Sequence, residues 1–360
     1  MIYNEFCGEK ISRLGFGAMR FPNDRKEIKK MIDEAYYNGV NYFDTAYVYE
    51  NSEVELGNVL KDYKRDTFFV TSKLPAWRIN KNKSAEDLFN ESLERLKVDY
   101  IDYYLIHSID EESIELVKKY DLVNFCLNLK KEGKIKHLGF SIHADMKVLK
   151  EMLSLTDQFE FVQIQLNYLD YISEPGFEGY EYLTSKNIPV VVMEPLKGGT
   201  LSVLPDEIAK PFIDLKKDYS YSSYAFRWIM ENENVKVILS GMSDSLQVKD
   251  NLKTFAVENK LTIKEKEAIE QVKNNIINHQ KVPCTGCRYC MPCNQGVDIP
   301  GCFKAWNTKS MNSSNWISGT NLPEKGTPDK CVECGACMKH CPQHINIIEK
   351  LKEVRKEYNI

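Results

Sequence analysis

Between about residue 10 and residue 255, short runs of β-branched and aromatic residues alternate with longer stretches of helical period. That alternation restricts the chain to a parallel sheet with crossover helices. The candidate strands are NYFD (41–44), TFFVTS (67–72), IDYYLIH (101–107), IKHLGFS (135–141), FEFVQIQ (159–165), IPVVVME (188–194) and VKVILSG (235–241). Each interval is long enough for one helix. KEIKKMIDEAYYNG is an example, apolar at Ile28, Met31, Ile32 and Ala35 and stopped at Gly39. LGFGAM near residue 14 brings the strands to eight, which favours an α/β fold of the closed (β/α)8 TIM-barrel kind. No Gly-x-Gly-x-x-Gly follows an early strand, so an open dinucleotide-binding sheet lacks its main signature.

Such a barrel uses about 250 residues, and the chain has 360. The expected organisation is a barrel over 1–258, a polar helical linker over 259–282 with Thr262 capping ahead of Glu265, and a small domain over 283–360. In the last domain the composition turns to Cys, Pro, Gly and Asn, and INIIEKLKEVRKEY (345–358) reads as a closing helix. No apolar run reaches the ~18 residues that span a bilayer, which argues against membrane insertion. A formal net charge of −4 with scattered basic residues argues against a nucleic-acid partner. The opening MIYNEFCGEKISRLGFG has neither the basic start nor the apolar run of a secretory signal, so a cytoplasmic location is expected.

Four polar residues stand at or just past the ends of apolar strands: Asp44 after NYF, Tyr49 in the following loop, Lys73 after FFVTS, and His107 after DYYLI. Strand ends of a (β/α)8 barrel open on one face, where active sites form. The four can therefore meet. A carboxylate can hold the lysine, and the ammonium can lower the phenol's pKa from ~10, making Tyr49 a general acid. Singly, each has a commoner structural explanation; the joint pattern carries the inference.

FDTAYVYENSEVELG, VTSK and DYYLIH resemble the signature segments of the aldo-keto reductases, and the likeness runs through residues 10–255. The resemblance implies that Asp44, Tyr49, Lys73 and His107 form a catalytic tetrad, with Tyr49 donating a proton to a carbonyl oxygen that His107 orients. It implies NAD(P)H as cofactor, with Ser141 and Gln163 bonded to the nicotinamide carboxamide. Ile142 stands where many members have Asn. MEPLKGG (193–199) resembles the loop beneath the pyrophosphate, which brings in Pro195, Leu196 and Gly198. GMSDSLQVKDN (241–251) resembles the segment over the adenosine, with Gly241 at its start and Asn251 reaching the adenine. Gln247 occupies the place of an arginine that often meets the 2′-phosphate of NADPH.

Nine of the eleven cysteines lie between Cys284 and Cys341, a density that in a reducing compartment suggests metal ligands rather than disulfides. CVECGACMKHCP (331–342) has the C-x2-C-x2-C-x3-C-P spacing of cubane iron–sulfur sites. CTGCRYCMPCN (284–294) nearly repeats it, with a shorter last gap and Asn294 in place of proline. Zinc is the alternative reading, although eight thiolates exceed what one zinc takes. Both segments resemble two-cluster ferredoxins. That likeness implies a ferredoxin-like iron–sulfur domain, with Cys284, Cys287, Cys290 and Cys341 on one [4Fe–4S] cluster and Cys331, Cys334, Cys337 and Cys293 on the other. Cys302 is the nearest substitute for Cys293.

The expected activity is nicotinamide-dependent hydride transfer to or from a small carbonyl or alcohol substrate, with Trp77, Tyr47 and Tyr168 as candidate pocket walls. The alternative is a nicotinamide sensor that docks a redox protein partner through its clusters. A hydride carries two electrons and a cubane accepts one, so exchange between them calls for a converter such as flavin, for which no segment is recognisable.

Overall fold

A computed structural model describes residues 1–170, 175–284, 286, 288, 290–310, 319–341 and 344–360. It divides into two compact units, one of 1–195 with 225–261 and one of 196–224 with 262–360.

In the first unit an antiparallel hairpin, β1 (Tyr3–Phe6) and β2 (Glu9–Ser12), precedes eight parallel strands. These are β3 (Leu14–Gly17), β4 (Tyr42–Asp44), β5 (Phe69–Leu74), β6 (Ile101–Ile109), β7 (Ile135–Ile142), β8 (Phe161–Gln165), β9 (Val190–Met193) and β10 (Val235–Ser240). They close in the order β10-β3-β4-β5-β6-β7-β8-β9. All eight coincide with the strands read from the sequence, while the hairpin is an addition. Its Phe6 and Ile11 are buried against Tyr42, Tyr103, Leu105, Phe161, Val191, Val237 and Leu239, so it seals the N-terminal end of the barrel. Apolar burial there removes the hairpin's inner face from water at roughly 25 cal/mol per Å².

Helices fall between the strands as the alternation requires. Arg25–Tyr37 buries Ile28, Met31, Ile32 and Ala35 on one face and is capped by Asp24, whose carboxylate accepts from the Lys26 amide at 2.9 Å. Ala85–Leu96 opens on a capping box of Ser84 and Asp87. Gly57 has a steric reason: a Cβ there would stand 2.4 Å from the Arg95 carbonyl oxygen, so this close helix approach admits only glycine.

The second unit holds Asp206–Asp214, Ile263–His279, Ile299–Ser310 and Ile347–Tyr358 as its longer helices. Thr262 caps Ile263–His279 in a box with Glu265, as the sequence indicates. The stretch expected as a linker is divided: residues up to Leu261 belong to the first unit and the capped helix to the second, where Asn275 bonds the Ile208 carbonyl at 3.1 Å. Val297, Ile299, Cys302, Phe303, Ile347 and Leu351 are among the residues that form this unit's core.

Candidate active site and cysteine domain

Asp44 closes β4, Lys73 is the next-to-last residue of β5, and His107 lies near the end of β6. In a parallel barrel these positions face one rim. The Lys73 ammonium is wholly buried and donates to both Asp44 oxygens at 2.7 and 2.8 Å and to the Thr45 carbonyl at 2.7 Å. It also stands 5.1 Å from the centre of the Tyr49 ring, close enough to act on the phenol electrostatically. Burial disfavours its charge, but the Asp44 carboxylate and Tyr49 outweigh that, and Lys73 is held above the ordinary lysine range. Burial likewise raises Asp44, opposed by Lys73.

The Tyr49 ring lies 5.7 Å from the His107 ring, edge to face. Its phenol departs from the sequence expectation. Burial raises the Tyr49 pKa above 10, and the Lys73 ammonium offsets only part of that rise. The cation is visible in the sequence, whereas the water lost from the phenol is set only by the folded barrel. Burial, with Lys73 and His143 adding to it, pushes His107 far below the usual histidine range, so the ring is neutral. Its Nδ1 is buried without a partner.

Ser141, near the end of β7, accepts the Ser108 amide at 2.8 Å and keeps its own proton to donate. Gln163, in β8, turns its amide nitrogen to the Met193 sulfur at 3.4 Å, and its Oε1 is buried without a partner. A buried bare acceptor and a buried hydroxyl on neighbouring strands suit a primary carboxamide, which offers one N–H donor set and one carbonyl. The residues present therefore fit a nicotinamide.

At the end of β10, Asn251 bonds the Ser240 hydroxyl at 2.9 Å and is itself buried. Gln247 lies in the first turn of Ser245–Thr254, where its side-chain amide accepts from the Ser243 amide at 3.0 Å and donates to Asp244 at 2.8 Å. Gly241 is exposed, with the Arg20 side chain 3.4 Å from where its Cβ would stand. Pro195 ends its segment of the first unit. Leu196 and Gly198 belong to the second, Gly198 with φ 65° inside the turn Lys197–Gly199.

Of the aromatic candidates, Trp77 is 44% exposed with its ring 5.4 Å from His107. Tyr47 is tied instead to Glu91 and Lys83 at 2.6 and 2.7 Å, and Tyr168 is buried. The sequence reading overlooked Glu53. Its carboxylate, buried beneath the Asp44–Lys73 pair's strands, accepts from Ser72 at 2.6 Å and from Arg95 at 3.3 Å. Two acidic residues, Glu53 and Glu55, stand in the first helical turn after FDTAYVYEN, and nothing in the sequence marks Glu53 alone as buried.

In the cysteine-rich segment, Cys293, Cys331, Cys334, Cys337 and Cys341 form no disulfide. Burial raises the Cys337 thiol, and Cys331, Cys334 and Cys293 add to the rise, which puts these three sulfurs within electrostatic reach of Cys337. Four converging, unbridged thiols fit a cubane cluster. Cys284, Cys290 and Cys341 pack around the same apolar core, and Cys287 lies outside the described residues. Cys302 is fully buried in that core with its sulfur 3.5 Å from the Gly326 carbonyl, and burial pushes its thiol up to about 12. That environment suits a packed thiol rather than a ligand.

A family model described as "Aldo/keto reductase family" matches residues 13–274, and one described as "4Fe-4S dicluster domain" matches 283–346. The chain is 28% identical over 300 residues to L-galactose dehydrogenase of Arabidopsis thaliana, covering 74% of this chain and 93% of that protein. It is 27% identical over 297 residues to the NADH-specific methylglyoxal reductase of Escherichia coli, covering 67% and 89%. The holo form of an aldo-keto reductase from Bacillus halodurans superposes with a TM-score of 0.62 at 26% identity, over 76% of this chain and 96% of the other. Among the described residues no helix is long and apolar enough to cross a membrane.

Proposed function

The chain belongs to the aldo/keto reductase family and carries a 4Fe-4S dicluster domain towards its C-terminal end, and from that membership we propose that it catalyses hydride transfer between a nicotinamide and a small carbonyl or alcohol substrate. The observation that carries this reading is a buried Lys73 ammonium that Asp44 fixes 5.1 Å from the centre of the Tyr49 ring, beside a neutral His107 with an unsatisfied ring nitrogen.

Bound nicotinamide supplies the hydride. Ser141 and Gln163 hold and orient its carboxamide. His107, neutral, holds the carbonyl oxygen through a ring N–H, and Tyr49 gives its proton to that oxygen as negative charge develops. Lys73 steadies the phenolate that remains, and Asp44 keeps Lys73 in place. Because burial holds the phenol protonated, the site is set for carbonyl reduction at neutral pH. The E. coli relative's name makes methylglyoxal the first compound to try. An anaerobic screen of NADH and NADPH oxidation against aldehydes, ketones and keto acids tests the reading, and no turnover with any of them would overturn it.

The adenosine end favours NADH. The Asp244 carboxylate already accepts the Leu246 and Gln247 amides at 2.8 and 2.9 Å, and Glu27 accepts the Ser245 amide at 3.0 Å. A 2′-phosphate would meet two carboxylates and a neutral Gln247. We expect kcat/KM for NADH at least equal to that for NADPH, and Gln247→Arg to shift the ratio towards NADPH by about 10-fold. A large NADPH advantage in the unaltered protein would assign the phosphate to Arg20 or Lys249.

Two cubane clusters are proposed, held by Cys284, Cys287, Cys290 and Cys341 and by Cys331, Cys334, Cys337 and Cys293; they would supply one-electron chemistry. Protein prepared without oxygen should then contain about eight iron and eight acid-labile sulfide per chain. Stoichiometric zinc without sulfide would contradict this. Hydride transfer at the barrel does not pass through the clusters, which brace the domain or serve a redox partner in the cytoplasm.

A further inference from the structure

At the N-terminal end of the barrel, opposite the tetrad, three chemically different metal-ligating side chains converge. Cys7 comes from the hairpin turn, His137 from the start of β7, and Glu160 from the residue before β8. One donor atom from each lies within 4.8 Å of the others. We propose that Cys7, His137 and Glu160 form a binding site for a thiophilic divalent cation, with zinc as its reference occupant.

The neighbours hold each donor in place. Glu160 directs Oε1 at His137 Nδ1, 2.9 Å away, while its Oε2 is taken by Lys130 and by the Leu138 amide at 3.1 Å. Outer contacts of this kind orient a metal-ligating carboxylate. The His137 ring is stacked on Tyr103 at 4.9 Å, which fixes its plane. The Cys7 sulfur lies 3.9 Å from the Glu160 carbonyl oxygen.

Cys7 also occupies a costly backbone position. Cys7 and Gly8 are the two turn residues between paired Phe6 and Glu9, with φ of 51° and 83°. Such hairpin turns ordinarily begin with Asn, Asp or Gly, because other side chains clash in the left-handed region. A cysteine there places its sulfur beside His137 and Glu160. Burial, followed by Glu160, pushes that thiol up to about 12 in the absence of a cation.

Sulfur, imidazole and carboxylate together select zinc-like cations over magnesium or calcium, and three protein ligands leave a fourth position for water. Binding exchanges the Cys7 proton for the cation and releases it to solvent. The bound ion would pin the hairpin to β7 and β8 across the barrel floor.

The test is a chelator-buffered zinc titration of full-length, cluster-loaded protein, followed by thermal unfolding. The unaltered chain should take up one zinc and gain roughly 3 °C or more in Tm when saturated. Cys7→Ser and His137→Gln should each weaken uptake by about 10²-fold and abolish the Tm gain. Cys7→Ala should do the same while leaving carbonyl turnover and far-ultraviolet circular dichroism unchanged, which separates lost ligation from lost folding. Equal zinc uptake by all variants would put the cation at the C-terminal cysteines and overturn the proposal, as would binding no tighter than about millimolar in the unaltered protein.

Discussion

Tyr49→Phe is expected to lower the rate of carbonyl reduction by about 10²-fold or more while leaving nicotinamide binding nearly unchanged. The substitution removes one hydroxyl and keeps the ring beside His107. Only the transition state needs the missing proton, so kcat and kcat/KM should fall together. The pH profile gives a second signature. Burial raises Tyr49 above its usual range and depresses His107, so neither group changes protonation between about pH 6 and 9. The reduction rate should therefore be flat across that window. An inflection near 6.5 that disappears in His107→Gln would transfer the proton-donating role to His107.

Lys73→Met should be the most damaging single change to the barrel. Both partners of the Lys73–Asp44 pair are buried, with side chains 0% and 5% exposed. Removing the ammonium leaves the buried Asp44 carboxyl without a cation beside it, a situation that costs roughly 3–5 kcal/mol. Asp44 can escape by taking up a proton. Its folded pKa then lies further above the unfolded value, so the proton-linked stability is present at low pH and lost as pH rises through the folded pKa. The deficit in Tm should therefore be smaller at pH 5 than at pH 8. Lys73→Met with Asp44→Leu should recover most of the stability and none of the activity, because a well-packed apolar pair can replace a buried ion pair but cannot hold Tyr49. A stable, active Lys73→Met protein would remove the ion pair from both the fold and the reaction.

The barrel was legible because most strands are β-branched or aromatic runs bounded by polar breaks, and parallel strands buried on both faces leave that pattern in the chain. VVV at 190–192 and YYLI at 103–106 are instances. The hairpin was not legible. EKIS at β2 buries only Ile11 and Ser12, so its alternation is too short to stand out. In the site, strand-end position identified Asp44, Lys73 and His107, since the period of the barrel dictates where strand ends open. What the residue types could not convey was the degree of burial. Burial reverses the expected shift of Tyr49, and it separates Cys302, enclosed beside Gly326, from Cys293, within reach of Cys337. The charge around Gln247 was half visible. Its neutrality is in the sequence, but the Glu27 contact spans 218 positions of chain and exists only in the closed barrel.

The central claim is that the barrel moves a hydride directly, and isotope transfer tests it most plainly. Cluster-loaded protein is mixed without oxygen with NADH deuterated at the transferring position and an accepted carbonyl compound, and the product and the cluster absorption are followed together. The reading predicts deuterium on the carbinol carbon in the amount of NADH consumed, with the cluster absorption unchanged. Bleached clusters and an alcohol without deuterium would contradict it.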